Sequence, residues 1–249
     1  MKKQTKIKIF FTILIIFIVS SSIFAFWQKD NISALISGMN NSSEDLAVKM
    51  DENRANLKAE VEKYVSKPIT DITAEDEQKL LKGEVTVEEI ADKYNLPLDY
   101  MKDSDAEDNE SSNPIEHDAI QDSSGNVQVD TKAIDNAISE GVSKMYALKA
   151  KYVNKLGELE REVIKEYTSL PEEQQNKDGK YKILMDNIDY VAQLEKKCDD
   201  EVAKVLSNLE EELKSLNGDT EIIKILKNAY KQEKELKKSY YLSLYNNQM

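Results

Sequence analysis

The sequence predicts an all-α protein with four parts: an N-terminal transmembrane helix, a small helical region, an acidic linker and a long antiparallel coiled-coil, three-helix hairpin domain. Three observations predict it. Only seven Gly and four Pro interrupt 249 residues, and 33% of the residues are charged, a balance that suits long helices better than sheets. Apolar residues recur at steps of three and four through most of the chain after residue 43, the period of a helix face. One uncharged, strongly apolar stretch stands near the start.

That stretch is Ile9 to Trp27, 19 residues without a charge. As a helix it spans roughly 28 Å, close to the hydrocarbon thickness of a bilayer. Lys2, Lys3, Lys6 and Lys8 precede it, in a basic tail over 1–8, and Lys29 follows; the positive-inside rule therefore places the N-terminus in the cytoplasm and the bulk of the chain outside. Phe26 and Trp27 suit the far interface. A cleaved signal peptide is the rival reading, with Ser20-Ser21-Ser22 near the cleavage site; the mature protein is then secreted without residues 1–22. The apolar run continues to Trp27, which favours a retained single-pass anchor.

Four of the 34 basic residues lie in that N-terminal tail, leaving 30 against 47 acidic ones in the rest. A surface so negative repels nucleic acid and anionic lipid. The partners expected are the membrane through 9–27 and a protein through the C-terminal helices, with no nucleic acid. Cys198 is the sole cysteine, so no disulfide forms within one chain.

The first helical region covers 43–102. Ser43 is placed to cap a helix carrying Leu46, Met50, Leu57, Val61 and Tyr64 or Val65, which Lys67-Pro68 ends. Thr73 to Asp76 begins a second helix closed by Gly83. Thr86-Val-Glu-Glu89 is a capping box opening a third, with Ile90 and Tyr94 on its apolar face. Pro97 suits the first position of a further turn. These helices are expected to pack a small core of their own.

Within this region Ile90-Ala91-Asp92-Lys93-Tyr94-Asn95-Leu96, inside Gly83–Lys102, resembles the helix and turn of LysM peptidoglycan-binding modules. It is also similar to the first helix and turn of DNA-binding helix-turn-helix domains. The LysM resemblance implies a cell-wall glycan partner met by Tyr94 and Tyr100, and a strand on either side of the helical part. The helix-turn-helix resemblance implies a basic second helix, where Asp99, Asp103 and Asp105 stand instead.

The linker, 103–130, has nine acids and neither Lys nor Arg, so it has little to bury and is expected to be disordered. Asp103-Ser-Asp105 opens like a calcium loop, but Asp108 and Pro114 occupy the positions that need Gly and Glu. The single histidine, His117, lies in this solvated stretch, and Asp122 to Val129 has the pattern of a small hairpin.

From 131 to 249 three helices are legible. Ile134, Ile138, Val142, Met145, Leu148, Tyr152, Leu156, Leu159, Val163 and Tyr167 mark the first. Leu184, Ile188, Val191, Leu194, Cys198, Val202, Val205, Leu209, Leu213 and Leu216 lie on the second, and Ile222, Leu226, Ala229 or Tyr230, Leu236, Tyr240 and Leu244 on the third. So narrow a stripe predicts coiled-coil seams. Leu170-Pro171 ends the first helix, and Lys177-Asp178-Gly179 is read as the end of the connection. Gly218 is read as the left-handed C′ residue of the second turn, with Asp219 capping the third helix. An antiparallel fold about Gly218 pairs Glu212 with Lys224 and Asp199 with Lys237, bringing an acidic helix to a basic one. Tyr240, Tyr241 and Tyr245 either pack near Tyr190 and Val191 or form a docking surface.

No Gly-rich phosphate loop, zinc motif or nucleophile elbow occurs, so no catalytic, cofactor or metal residues are assigned. The candidate interaction surface is Tyr240, Tyr241, Tyr245, Tyr94 and Tyr100. The function expected is a membrane-anchored extracytoplasmic coiled-coil scaffold without catalysis, and the alternative is a peptidoglycan-binding module through 83–102.

Overall fold

The computed structural model describes residues 41–102 and 130–246, and every element among them is helical. In chain order these are α1 (Ser43–Val61), α2 (Ala74–Lys82), α3 (Val87–Tyr94), a 3₁₀ turn (Leu98–Tyr100), α4 (Thr131–Ser169), a second 3₁₀ turn (Glu172–Gln174), α5 (Lys177–Ser215) and α6 (Glu221–Asn246). No helix among the described residues is long and apolar enough to cross a membrane. The 9–27 stretch, residues 103–129 of the acidic linker with His117, and the hairpin pattern at 122–129 all lie outside the described residues.

Local chemistry sets most helix ends. Thr73 accepts from Asp76 N and caps α2, which ends at Gly83 with φ +70°. Thr86 and Glu89 form the capping box of α3. Other ends differ from the sequence reading, the first being that α1 stops at Val61, six residues before Lys67. Ser42, not Ser43, caps α1, because Asp45 three residues on completes a capping box with it. Asn176 caps α5 by accepting from Asp178 N and Gly179 N, so Lys177 to Gly179 are helical and the connection is shorter than expected. A Cβ on Gly179 would come within 2.0 Å of the Gln174 carbonyl oxygen, so only glycine fits this tight return. At the second turn Asn217, with φ +55°, takes the left-handed position assigned to Gly218. Gly218 N then donates to Leu213 O at 2.8 Å and Asn217 N to Lys214 O at 3.2 Å, a Schellman closure. Asp219 Oδ1 accepts from Glu221 N, the first residue of α6, at 2.9 Å, from one position before the cap position expected for it.

α4 and α5, each 39 residues and so about 58 Å long, run antiparallel. Lys151 of α4 meets both carboxylate oxygens of Glu201 of α5 at 2.9 Å, and α5 approaches so closely at Gly141 that an added Cβ would lie 2.7 Å from Leu209. α6 turns back from α5 and packs lengthwise on α1, with Arg54 reaching Glu233 at 3.2 Å. α2 lies on α4, where the Leu81 carbonyl stands 2.0 Å from the position of a Cβ on Gly157.

This arrangement corrects two expectations. The short helices do not pack a core of their own: Val61, Ile72, Leu80, Ile90 and Leu96 share one buried cluster with Ile138, Leu148, Leu206 and Leu226. Nor is α4 buried along a narrow seam. Besides Ile138, Val142 and Leu148, it buries Ala137, Ala147, Ala150 and Gly157, because α2 and α3 cover a face that α5 leaves free. Small residues there let the backbones approach.

Candidate functional site

Where α1, α2, α4 and α6 meet, five charged side chains and the Asp71 carboxylate are gathered under partial or full burial. Lys149 Nζ lies 2.6 Å from Glu77, 3.1 Å from Glu233 and 3.0 Å from Asp71. Arg54 reaches Glu77 at 2.9 Å, and Lys237 reaches it at 3.0 Å. Burial disfavours ionised Glu77, yet Lys237, Lys149 and Arg54 outweigh it and hold the carboxyl down to about 2. Glu233 is depressed by the same balance. For Lys149, burial is overcome by Glu77, Glu233 and Asp71, and its ammonium is held more firmly than usual. Asp71 goes the other way, because burial outweighs Lys149 and raises its carboxyl. Proton-transfer catalysis needs groups tuned toward neutrality; Glu77, Glu233 and Lys149 are tuned away from it. The arrangement locks charges in place and ties α2 to α4 and α6.

Beside this cluster a cavity of about 240 Å³ opens between α2, α4, α5 and α6. Met145, Val153, Leu156, Leu194 and Val202 make much of its wall, with Tyr146, Tyr152 and Tyr230 adding ring surface. Cys198 also faces it, its sulfur 3.5 Å from the Tyr230 hydroxyl, which in turn donates to Asp199 at 2.6 Å. Burial pushes the Cys198 thiol up to about 11, so it stays protonated and is a poor nucleophile.

Of the tyrosines assigned from the sequence, Tyr94 and Tyr100 lie among the short helices and Tyr240 on α6. Tyr94 is only 9% exposed; its hydroxyl hydrogen-bonds the Asp76 carboxylate and accepts from Thr73 N at 3.2 Å. Lys93, at 2.6 Å, and Tyr94 hold the Asp76 carboxyl down to about 2. Tyr94 is therefore a brace within the short helices. Tyr100 is half-buried against the core with Lys144 over its ring. A LysM arrangement needs a strand before its helix, and 74–82 is helical; a helix-turn-helix needs a second helix, and 98–100 is a single 3₁₀ turn. Tyr240 is half-buried, while the side chains of Tyr241 and Tyr245 lie outside the described ones.

The charge register about Gly218 also differs. Asp199 pairs with Lys234 at 2.7 Å, and Lys237 turns instead to Glu77. Lys224 pairs with Glu221 of its own helix. α6 leans onto α1 and α2, so its lysine face is shared between two neighbours and the α5 pairing shifts by one turn.

Sequence reading missed the ion cluster and an exposed apolar stretch on α5. Tyr181 is 62% exposed, Met185 44% and Tyr190 50%. Here Leu159, Val163 and Tyr167 of α4 pack with Ile183 and Val191 of α5 in a second, smaller cluster. One signal for the ion cluster was present: in a lysine-rich chain the only arginines are Arg54 and Arg161, and both make long-range contacts, Arg161 donating to Leu81 O at 2.9 Å. No protein-family model, curated protein or solved structure matches the chain.

Proposed function

We propose that this chain is a membrane-anchored, extracytoplasmic helical scaffold that engages a protein partner and carries out no catalysis. The observation that carries the reading is the exposure of Tyr181, Met185 and Tyr190 on the distal half of the α4–α5 hairpin. Tyr and Met are enriched where proteins meet, and Tyr181 and Met185, four residues apart, share one exposed face of α5, with Tyr190 farther along the helix on another face. The anchor at 9–27 supplies attachment. The buried charges support the non-catalytic part, since the strongly shifted carboxyls and Lys149 are tuned away from neutrality.

A photo-crosslinking residue at Met185 of the full chain in its membrane tests the reading, with the same residue at exposed Glu211 as control. Expected is a discrete protein adduct from position 185 that Tyr181→Ser abolishes and that position 211 does not give. Equal adducts from both positions, or none from 185, overturn the partner assignment. A reporter fused after Met249 that is active only in the cytosol overturns the orientation.

A further inference from the structure

We infer that the cavity between α2, α4, α5 and α6 is a binding site for one small, uncharged, largely hydrocarbon molecule. This inference is independent of the partner surface on distal α5. Size bounds the guest first. An apolar cavity of roughly 150 Å³ stays dry and accepts benzene, and pockets for drug-sized ligands begin at roughly 300 Å³. At about 240 Å³ this partly open cavity falls between them, and its buried part suits a fused pair of rings or a medium-length alkyl chain.

Charge decides the class. Four carboxylates (Glu77, Glu160, Glu195, Glu233) and four ammonium groups (Lys149, Lys234, Lys237, Lys238) border the cavity. Glu77, Glu195 and Glu233 engage the four lysines: Lys238 lies 2.6 Å and Lys234 2.7 Å from Glu195, while Lys149 and Lys237 meet Glu77 and Glu233. An anion or a cation entering would have to break one of these pairs and leave a poorly solvated partner. An uncharged guest leaves them intact. Water is a poor occupant of the apolar part, because a buried water needs two to four polar partners and Met145, Val153, Leu156, Leu194 and Val202 offer none from their side chains. A hydrocarbon gains by burial against the same wall.

The test is photolabelling of the full chain in lipid nanodiscs with an octanol carrying a diazirine, mapped by mass spectrometry. Expected is saturable insertion into 145–156 and 191–202, displaced by excess octanol or naphthalene and not by octanoate. Leu194→Trp, which fills the cavity from α5, is expected to weaken labelling of these segments by about tenfold while labelling of the 9–27 stretch stays constant. Val153→Phe fills it from α4 and serves if the first variant melts early. Non-saturable labelling of the two segments in the wild-type chain overturns the proposal, as does labelling that neither filler reduces. Equal displacement by octanoate overturns the uncharged class.

Discussion

Arg54 from α1, Lys149 from α4 and Lys237 from α6 converge on Glu77, and the same three cations reach Glu233. The folded Glu77 carboxyl titrates at about 2, against an ordinary 4.5. A depressed carboxyl contributes stability that is complete above its unfolded value and is lost as pH falls toward the folded one. Glu233 acts in the same sense, and raised Asp71 in the opposite one. The melting temperature is therefore expected to hold from pH 7 to about 5 and to drop between about 4.5 and about 2. Glu77→Gln removes one partner of a buried network, so it is expected to cost about 3–5 kcal/mol at pH 7. The same substitution should flatten the acid limb. Thermal melts of both forms across pH 2–7 check this, and parallel acid limbs would refute the role given to Glu77.

The ends of the elements were the most legible part, because capping is a local matter. Thr73, Gly83 and Thr86 with Glu89 act as their spacing implies. Choices that depend on distant side chains were not legible. Asn217 and Gly218 can each take a left-handed conformation, and Gly218 stands beside Ile134, whose side chain would lie 3.1 Å from an added Cβ. The α4–α5 hairpin carries a further consequence at this scale. Its distal part is held by Leu159, Val163, Tyr167, Ile183 and Val191, whereas the proximal part joins the large shared cluster. Elements with fewer buried apolar contacts open at lower free energy. Native-state hydrogen exchange is expected to show amides of 160–168 and 180–188 opening well before those of 138–152. Uniform protection along both helices would contradict it. A distal segment that opens easily suits a surface that adapts to a partner, whereas the cavity sits beside the better-held part.

At the scale of the molecule, the sequence separates 43–102 from 131–249 by an acidic stretch, and the structure joins their apolar faces. The union was illegible for a physical reason: each short helix carries an ordinary amphipathic pattern, and nothing local says which surface it covers. Its traces were indirect, in the small residues Ala147, Ala150 and Gly157 on α4 and in Arg54 on α1. The union can be tested by separation. Val61, Ile72, Leu80 and Ile90 are almost wholly buried, and at about 1.5–3 kcal/mol for each fully buried side chain they represent about 6–12 kcal/mol. That matches the whole net stability of a typical domain, about 5–15 kcal/mol. Residues 130–249 alone would also leave Lys149 and Lys237 without Glu77. They are expected to retain helical far-ultraviolet dichroism but to lose a cooperative melt and to bind hydrophobic dyes. Adding a peptide of residues 41–102 should restore the melt and displace the dye, since the missing helices need no covalent link to cover α4 and α6. A fragment that melts cooperatively within a few degrees of the full chain would mean that the long helices fold on their own and that the short ones merely rest on them.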